Sequence, residues 1–173
     1  MPVQALIANI EEVFPELPLP DMTLRQAQLS DETMDREISQ EEWDATGRLD
    51  QAVVWKDIEP AVLIACDAAL SHISEVGFVY YIPAYMRLAL NQLITVADPE
   101  WEAFGSTVFH LTNRSNYTLA RFKRFSDPQI DAVVEFLRQI RAAGGSEGKM
   151  AEEALKAYWD TSESRRRTLI YLP

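Results

Sequence analysis

The stretch Gly77–Ala97, GFVYYIPAYMRLALNQLITVA, decides the fold of this chain because nearly all of its residues are apolar. It is long enough to span a membrane, but its single charged residue, Arg87, would cost roughly 2.5–3.5 kcal/mol on insertion. Pro83, Asn91 and Gln92 add to that cost. We therefore predict a helix buried in the protein core, which Pro83 kinks or breaks into two, and no membrane partner.

The composition is that of a globular protein. Of the 173 residues, 47% are hydrophobic and 25% are charged, and seven Phe, six Tyr and four Trp supply core material. This excludes a wholly disordered chain and predicts one domain over residues 1–173. The single cysteine, Cys66, excludes an intramolecular disulfide and favours a reducing compartment. Because the N-terminal stretch lacks the basic region of a secretory signal, we expect a cytoplasmic protein.

Apolar residues recur at intervals of three and four through most of the chain, which predicts helices. We expect them over 3–14, 40–46, 60–72, 75–97, 101–111, 126–143 and 149–159. The fold class is therefore all-α, a single compact domain of six or seven helices. The β-prone segments Ser106–Phe109 and Thr168–Leu172 allow at most two short strands. Residues 21–50 are the most polar part, and we interpret them as an acidic arm or loop, with 21–38 as a poorly packed arm or a loop.

The net charge of −11 is concentrated in the first 60 residues, which hold 14 acidic against 4 basic residues and so carry −10. Such a region repels nucleic acids and anionic membranes, and it favours a basic protein as partner. Glu41, Glu42 and Asp44 are the candidate acidic interaction surface. The alternative is that these carboxylates only solvate the protein surface.

Basic residues alternate with aromatic residues near position 120, a pattern typical of single-stranded nucleic-acid binding. Arg121, Lys123 and Arg124 lie among Tyr117, Phe122 and Phe125. The negative charge of the whole chain argues against a nucleic-acid partner. We expect these residues to pair with the acidic first third, within one chain or in a homo-oligomer.

The sequence offers few groups for catalysis. Two histidines and one cysteine predict no metal site and no cofactor, since a metal site needs three or more converging ligands. A Cys66–His110 nucleophile pair is possible in principle, but any chain with one residue of each type offers it. The sequence therefore favours a protein that is not an enzyme.

A narrow polar stripe runs along the apolar stretch. Tyr80, Arg87 and Asn91 are spaced at i, i+7 and i+11, and Tyr85 lies between them in sequence. Polar groups on a buried helix must find partners or open to solvent. The functional interpretation is a wall of a pocket or an interface anchor. The structural alternative is that Arg87 pairs with an internal acid while the tyrosines bridge core and surface.

Three motifs resemble those of an uncharacterised bacterial family. They are Trp55–Ile58 (WKDI), Gly77–Met86 (GFVYYIPAYM) and Val108–Thr112 (VFHLT). The family shares a W-x-D-I element, a GFxYY(I/L)PAY(M/L) helix and a hydrophobic helix ending in HLT. The resemblance extends over residues 50 to about 160. It implies a small bacterial cytoplasmic helical protein without an assigned activity, so it identifies no catalytic residue.

These observations support three functional hypotheses. The first is a non-catalytic protein-binding module for a basic partner, for example a protein of the immunity type. The second is a small-ligand binder or enzyme with a pocket beside the helix at 78–95. The third is a structural homo-oligomer.

Overall fold

The computed structural model describes residues 1–16, 20–50, 54–95, 102–112 and 115–160. These residues form ten α-helices, a 3-10 turn at Trp55–Asp57 and a π-helical turn at Leu155–Trp159. The helices are α1 (Val3–Val13), α2 (Leu24–Glu32), α3 (Gln40–Gly47), α4 (Pro60–Ala65), α5 (Ala69–His72), α6 (Glu75–Thr95), α7 (Glu102–Thr112), α8 (Asn116–Phe122), α9 (Asp127–Ala143) and α10 (Gly145–Ala154).

The all-α class is confirmed, and the described residues contain no strand. The number of helices is larger than the six or seven predicted. Ser106–Phe109, which we allowed as a strand, belongs to helix α7. The other candidate strand, Thr168–Leu172, lies outside the described residues.

Helix α6 is the central element, and helices α1, α4, α5, α7, α8 and α9 pack around it. Most of its apolar side chains are buried, with Phe78, Ile82 and Tyr85 each fully inaccessible to solvent, whereas Val76 and Ile94 near its ends are exposed. A helix that is apolar on all sides is expected at the centre of a fold. Pro83 lies inside the helix without ending it, so the alternative in which it breaks the helix into two is wrong. No helix among the described residues has the length and apolarity needed to cross a membrane.

Helix α9, which the sequence predicts over 126–143, begins at a capping box. The Ser126 backbone N–H donates to the Gln129 side chain at 2.9 Å, and the Ser126 side chain accepts from the Gln129 backbone. The Gln129 side chain also donates to the carbonyl of Val13, at 3.2 Å. This hydrogen bond connects the first turn of α9 to Val13, the last residue of α1, and the two helices pack against each other.

The segment 21–50 contains two helices. The interpretation of 21–38 as a loop is wrong for Leu24–Glu32, which form α2 behind a second capping box, Thr23 with Gln26. Leu24 and Ala27 are buried, and α2 packs against α5 and α3. Helix α3 spans Gln40–Gly47, one residue longer than the predicted 40–46.

The structure divides the predicted helix over 60–72 into α4 and α5. Side chains from other helices bind the carbonyl groups exposed at the break. The Tyr85 hydroxyl donates to the Cys66 carbonyl, and the Ser106 hydroxyl donates to the Asp67 carbonyl at 2.7 Å. Because helices α6 and α7 supply these hydrogen bonds, the break is a product of tertiary packing.

Candidate functional site

The four predicted binding residues, the three of the polar stripe and Tyr85, do not line one cavity. Tyr85 is fully buried, and its hydroxyl bonds to the Cys66 carbonyl, so it is a core residue. Tyr80 lines one cavity beside helix α6, while Arg87 and Asn91 line another. Ile58, from the motif WKDI, lines both cavities. The structure therefore shows two neighbouring cavities where the sequence predicts a single wall.

Arg87 has internal partners. Its guanidinium group pairs with the Glu11 carboxylate at 3.0 Å and donates to the Lys56 carbonyl at 2.6 Å. It also lies 5.6 Å from the centre of the Trp55 ring, in cation–π contact. Arg87 thus joins α1, the 3-10 turn and α6, which is the structural role that we considered as the alternative.

The Arg87 cavity has a volume of about 410 Å³. It is lined by Ile7, Glu11, Ile58, Pro60, Leu63, Ala84, Arg87, Leu88, Asn91 and Gln92. Glu11 and Arg87 neutralise each other, so the cavity is apolar with a few polar groups. One of them, the Gln92 side-chain oxygen, is buried and accepts no hydrogen bond from the residues that the structure describes. A buried acceptor without a donor costs about 1–3 kcal/mol, which makes Gln92 the polar group in this cavity that most needs a partner.

The Tyr80 cavity has a volume of about 440 Å³. It is lined by Leu24, Leu49, Asp50, Val54, Asp57, Ile58, Glu59, Val62, Tyr80 and Tyr81. The rings of Tyr80 and Tyr81 form an edge-to-face pair with centres 5.0 Å apart. Burial raises the pKa of both tyrosines, and nearby carboxylates, including Asp57 for Tyr80 and Asp50 for Tyr81, raise it further. Both phenols are therefore neutral at physiological pH.

The predicted acidic surface borders a third, open groove, which we call the hairpin groove. It lies between α2 and α3, has a volume of about 500 Å³, and is lined by Ser30, Thr33, Met34, Arg36, Ile38, Gln40 and Trp43. Of the predicted acids, Glu42 forms two hydrogen bonds with Arg36 at 2.8 and 2.6 Å, and Asp44 accepts one from Gln40. Glu41 is exposed.

The described residues contain no group of three or more His, Cys, Asp or Glu side chains arranged to hold a metal ion. Cys66 is buried, and burial raises the pKa of its thiol to about 11. A thiol with so high a pKa is a poor nucleophile at neutral pH. His110 is also buried, and its ring nitrogen lies 3.4 Å from the hydroxyl of Ser71.

The basic and aromatic residues near position 120 are partly internal. Arg121 is 1% exposed and bonds to the carbonyls of Leu70 and Ile73, while Arg124 pairs with Glu75 at 2.9 Å. None of these partners lies in residues 1–60. The predicted pairing of this patch with the acidic first third within one chain is therefore wrong for both arginines.

Sequence reasoning missed several residues that line the cavities. Gln92, Asp57 and Glu59 are polar residues whose spacing in the sequence does not indicate a cavity. Met34 and Trp43 appeared as isolated apolar residues in a polar stretch. That isolation was a usable signal, because a large apolar residue in a polar helix pair is either a packing contact or an exposed binding contact.

The comparisons with known proteins agree with the resemblance noted in the sequence. No curated protein and no solved structure matches this chain. A model of a family of unknown function, DUF6714, matches residues 3–163. The chain therefore belongs to the family of unknown function DUF6714.

Proposed function

We propose that this chain is a non-catalytic module that binds a basic protein partner through the hairpin groove. The observation that carries the proposal is the charge around the groove. Residues 31–44 hold seven acidic residues and one basic residue, Arg36. Arg36 is bound to Glu42, so it neutralises one of the seven. Asp35, Glu37 and Glu41 are exposed and have no ion pair within the described part of the chain.

The groove also offers apolar contact area. Met34 has 78% of its surface exposed, and Ile38 and Trp43 are half-buried beside it. Met and Trp are enriched in protein interfaces, and Trp is among the residues that most often dominate binding energy. A partner segment that presents an apolar side chain between Lys or Arg residues is complementary to this surface.

Such a surface suits a protein that covers and neutralises a basic partner. Proteins of the immunity type, which block basic toxins, work by this chemistry. Opposite charges would speed association, while the apolar residues of the groove would set the dissociation rate. The proposed module needs no catalytic residue.

Capture from a bacterial lysate, at about 50 mM and about 500 mM salt, would supply candidate partners, and the affinity would then be measured with the purified partner. Reversing two rim charges, in E37K with E41K, is expected to weaken binding about tenfold, mainly through slower association. The variant W43A is expected to weaken binding tenfold or more, because truncating a central Trp costs about 2 kcal/mol.

The matched control is D131K with E153K, which reverses two exposed carboxylates on α9 and α10, away from the groove. It makes the same change in net charge and should leave association nearly unaffected. Equal weakening by the two double variants, or an affinity that does not depend on salt, would exclude the groove as the binding surface.

A second candidate function is the binding of a small neutral or zwitterionic molecule in the Arg87 cavity. The unpaired Gln92 oxygen favours it, because a ligand N–H or O–H would supply the missing hydrogen bond. In the free protein, Q92M should raise the free energy of unfolding by about 1 kcal/mol, since it removes an unsatisfied buried acceptor. Urea unfolding would measure this change in the free energy of unfolding. The control is Q40M, because Gln40 is exposed.

Compounds that raise the melting temperature of the wild type should then lose their effect on Q92M. A Q92M variant that is less stable than the wild type would show that Gln92 already has a partner and would remove the basis for a ligand in this cavity.

A further inference from the structure

A buried polar side chain joins the two helices that form the hairpin groove. Gln26 lies in α2, one helical turn before Ser30, and only 7% of its surface is exposed. Its side-chain nitrogen donates to the carbonyl of Trp43 in α3, at 3.0 Å. Ser30 and Trp43 line the groove, whereas Gln26 does not. The hydrogen bond from Gln26 therefore crosses from one wall of the groove to the other, just outside it.

The amide group of Gln26 is held at both of its polar atoms. Its oxygen accepts from the Thr23 backbone N–H at 2.9 Å, as part of the capping box of α2. With the oxygen bound there, the nitrogen faces α3, and it is the donor that the Trp43 carbonyl requires. The Gln26 carbonyl also accepts from the Ser30 hydroxyl at 3.0 Å. One residue thus contacts the start of α2 and a residue from each wall of the groove.

Gly47, the last residue of α3, lies very close to the same amide group. A Cβ atom at this position would be 2.6 Å from the Gln26 side-chain nitrogen and 3.0 Å from its side-chain carbonyl carbon. An alanine would therefore displace the amide. The φ of Gly47 is not positive, so the glycine provides space for Gln26 and is not required by the backbone conformation. Helix α3 can approach Gln26 closely only because this residue has no side chain.

From these contacts we infer that Gln26 sets the spacing of α2 and α3 and thereby determines how tightly the hairpin groove binds its partner. The inference rests on the proposed function and adds a positioning residue to that site. Without the crossing hydrogen bond, the two helices sample several spacings, and the fraction of molecules with a binding-competent groove falls. The apparent dissociation constant rises by the same factor.

Two variants break this contact from opposite sides. Q26M keeps the size of the side chain but cannot donate to the Trp43 carbonyl. G47A leaves Gln26 in place and displaces its amide with the added methyl group. Because alanine favours a helix over glycine, helix propensity alone would make G47A more stable and would not weaken binding. A loss of binding in G47A therefore reports on the contact with Gln26.

The matched control is T23V, which acts on the same capping box. It removes the hydroxyl that accepts from the Gln26 backbone N–H, at 3.3 Å, and leaves the Gln26 side chain bonded to Trp43. T23V thus weakens the start of α2 without breaking the contact between the two helices.

Fluorine NMR of the full chain labelled with 5-fluorotryptophan reports on the groove without any partner. The signal of Trp43 is identified by its loss in W43F. It should shift in Q26M and in G47A and stay in place in T23V. The signals of the buried Trp55 and Trp159 should stay in place in all three variants, whereas a general loss of packing would move them as well.

Binding is measured by calorimetric titration with the peptide acetyl-Arg-Leu-Arg-Arg-Leu-Arg amide, which presents apolar side chains between cationic ones. Q26M and G47A should bind it about three- to tenfold more weakly than the wild type, the range that one neutral hydrogen bond can account for. T23V should change the affinity less than about twofold.

An unmoved Trp43 signal in Q26M and G47A would overturn the inference, and so would a peptide affinity equal to that of the wild type. A wild type that does not bind the peptide would instead contradict the proposed function. In that case the Trp43 signal would still decide whether Gln26 sets the spacing of the two helices.

Discussion

At the scale of single residues, Arg121 is the most unusual group in this protein. It is 1% exposed, and no carboxylate pairs with it within the described residues. Its guanidinium group donates to the carbonyls of Leu70, at 2.7 Å, and of Ile73, and also to the Tyr117 hydroxyl. It lies 4.8 Å from the centre of the Phe78 ring and 4.0 Å from that of Tyr117.

These contacts explain how a buried charge is tolerated there. The carbonyls of Leu70 and Ile73 lie at the C-terminal end of α5, where the last carbonyl groups of a helix lack partners and carry partial negative charge. The flat guanidinium group binds several of them at once and stacks against two rings. Arg121 therefore closes the end of α5 and joins it to α6 and α8.

The variant R121M should lower the free energy of unfolding by about 2–4 kcal/mol, because it leaves buried carbonyls without donors. The free energy of unfolding of R121K should lie between those of R121M and the wild type. The lysine ammonium group keeps the charge but cannot form the paired hydrogen bonds of a planar guanidinium group. Urea unfolding followed by circular dichroism measures both.

Arg124, two positions beyond the end of α8, provides the control. It is exposed and forms only a surface ion pair with Glu75, so R124M should change stability by less than about 1 kcal/mol. Comparable losses for R121M and R124M would show that the buried hydrogen bonds of Arg121 contribute no more than a surface contact.

At the scale of helices, the sequence is informative where a helix contributes apolar residues to the core. Helix α6 was predicted from its apolar composition, and α9 from the spacing of its apolar residues, among them Ile130, Val133 and Leu137. All three of these side chains are buried. In both helices the local signal and the tertiary contacts favour the same structure, which is why prediction succeeded.

Helix α2 was missed because its packing depends on polar side chains. Gln26 is buried, accepts from the Thr23 backbone and donates to the Trp43 carbonyl at 3.0 Å. Gln28 accepts from the Ala68 backbone at 3.2 Å. A search for apolar periodicity cannot detect a helix anchored by glutamines, since their partners are distant in sequence.

The candidate sites were predictable to a smaller degree. The polar stripe predicted Tyr80, Arg87 and Asn91 as candidate pocket residues, and each of them lines a cavity. The partner of Arg87, Glu11, is 76 residues away in sequence and was not predictable. Cavities form where loops and helices fail to fill space, and this depends on the three-dimensional arrangement rather than on local pattern.

At the scale of the whole molecule, ion pairs connect the acidic first third to the remaining chain. Glu11 pairs with Arg87 at 3.0 Å, and Asp31 lies 2.8 Å from a ring nitrogen of His72. Because these contacts lie within one chain, they leave its net charge of −11 unchanged. Mutual repulsion of the acids opposes folding, and protonation of the carboxylates near pH 4 relieves it. Between about pH 5 and pH 7 that repulsion changes little, so another group controls the stability there.

That group is His110. Burial, followed by the charge of Arg121 and that of His72, lowers the pKa of His110 from 6.5 to about 4. The folded protein keeps its imidazole neutral where the unfolded chain takes up a proton. Stability is therefore complete above pH 6.5 and falls as the pH drops towards 4. The loss should reach about 2 kcal/mol at pH 5.

Urea unfolding at about pH 7.5, 6 and 5 tests this in the wild type, in H110Q and in H72Q, which replaces the only other histidine. From pH 7.5 to pH 5, the free energy of unfolding should fall by about 2 kcal/mol in the wild type and in H72Q. It should fall much less in H110Q, because the glutamine side chain cannot take up a proton. Proton NMR of the imidazole ring should place the His110 titration near pH 4. An equally steep loss of stability in H110Q and in the wild type over this pH range would contradict the prediction. The pH dependence would then arise from the carboxylates, and the pKa of His110 would be similar in the folded and unfolded chains.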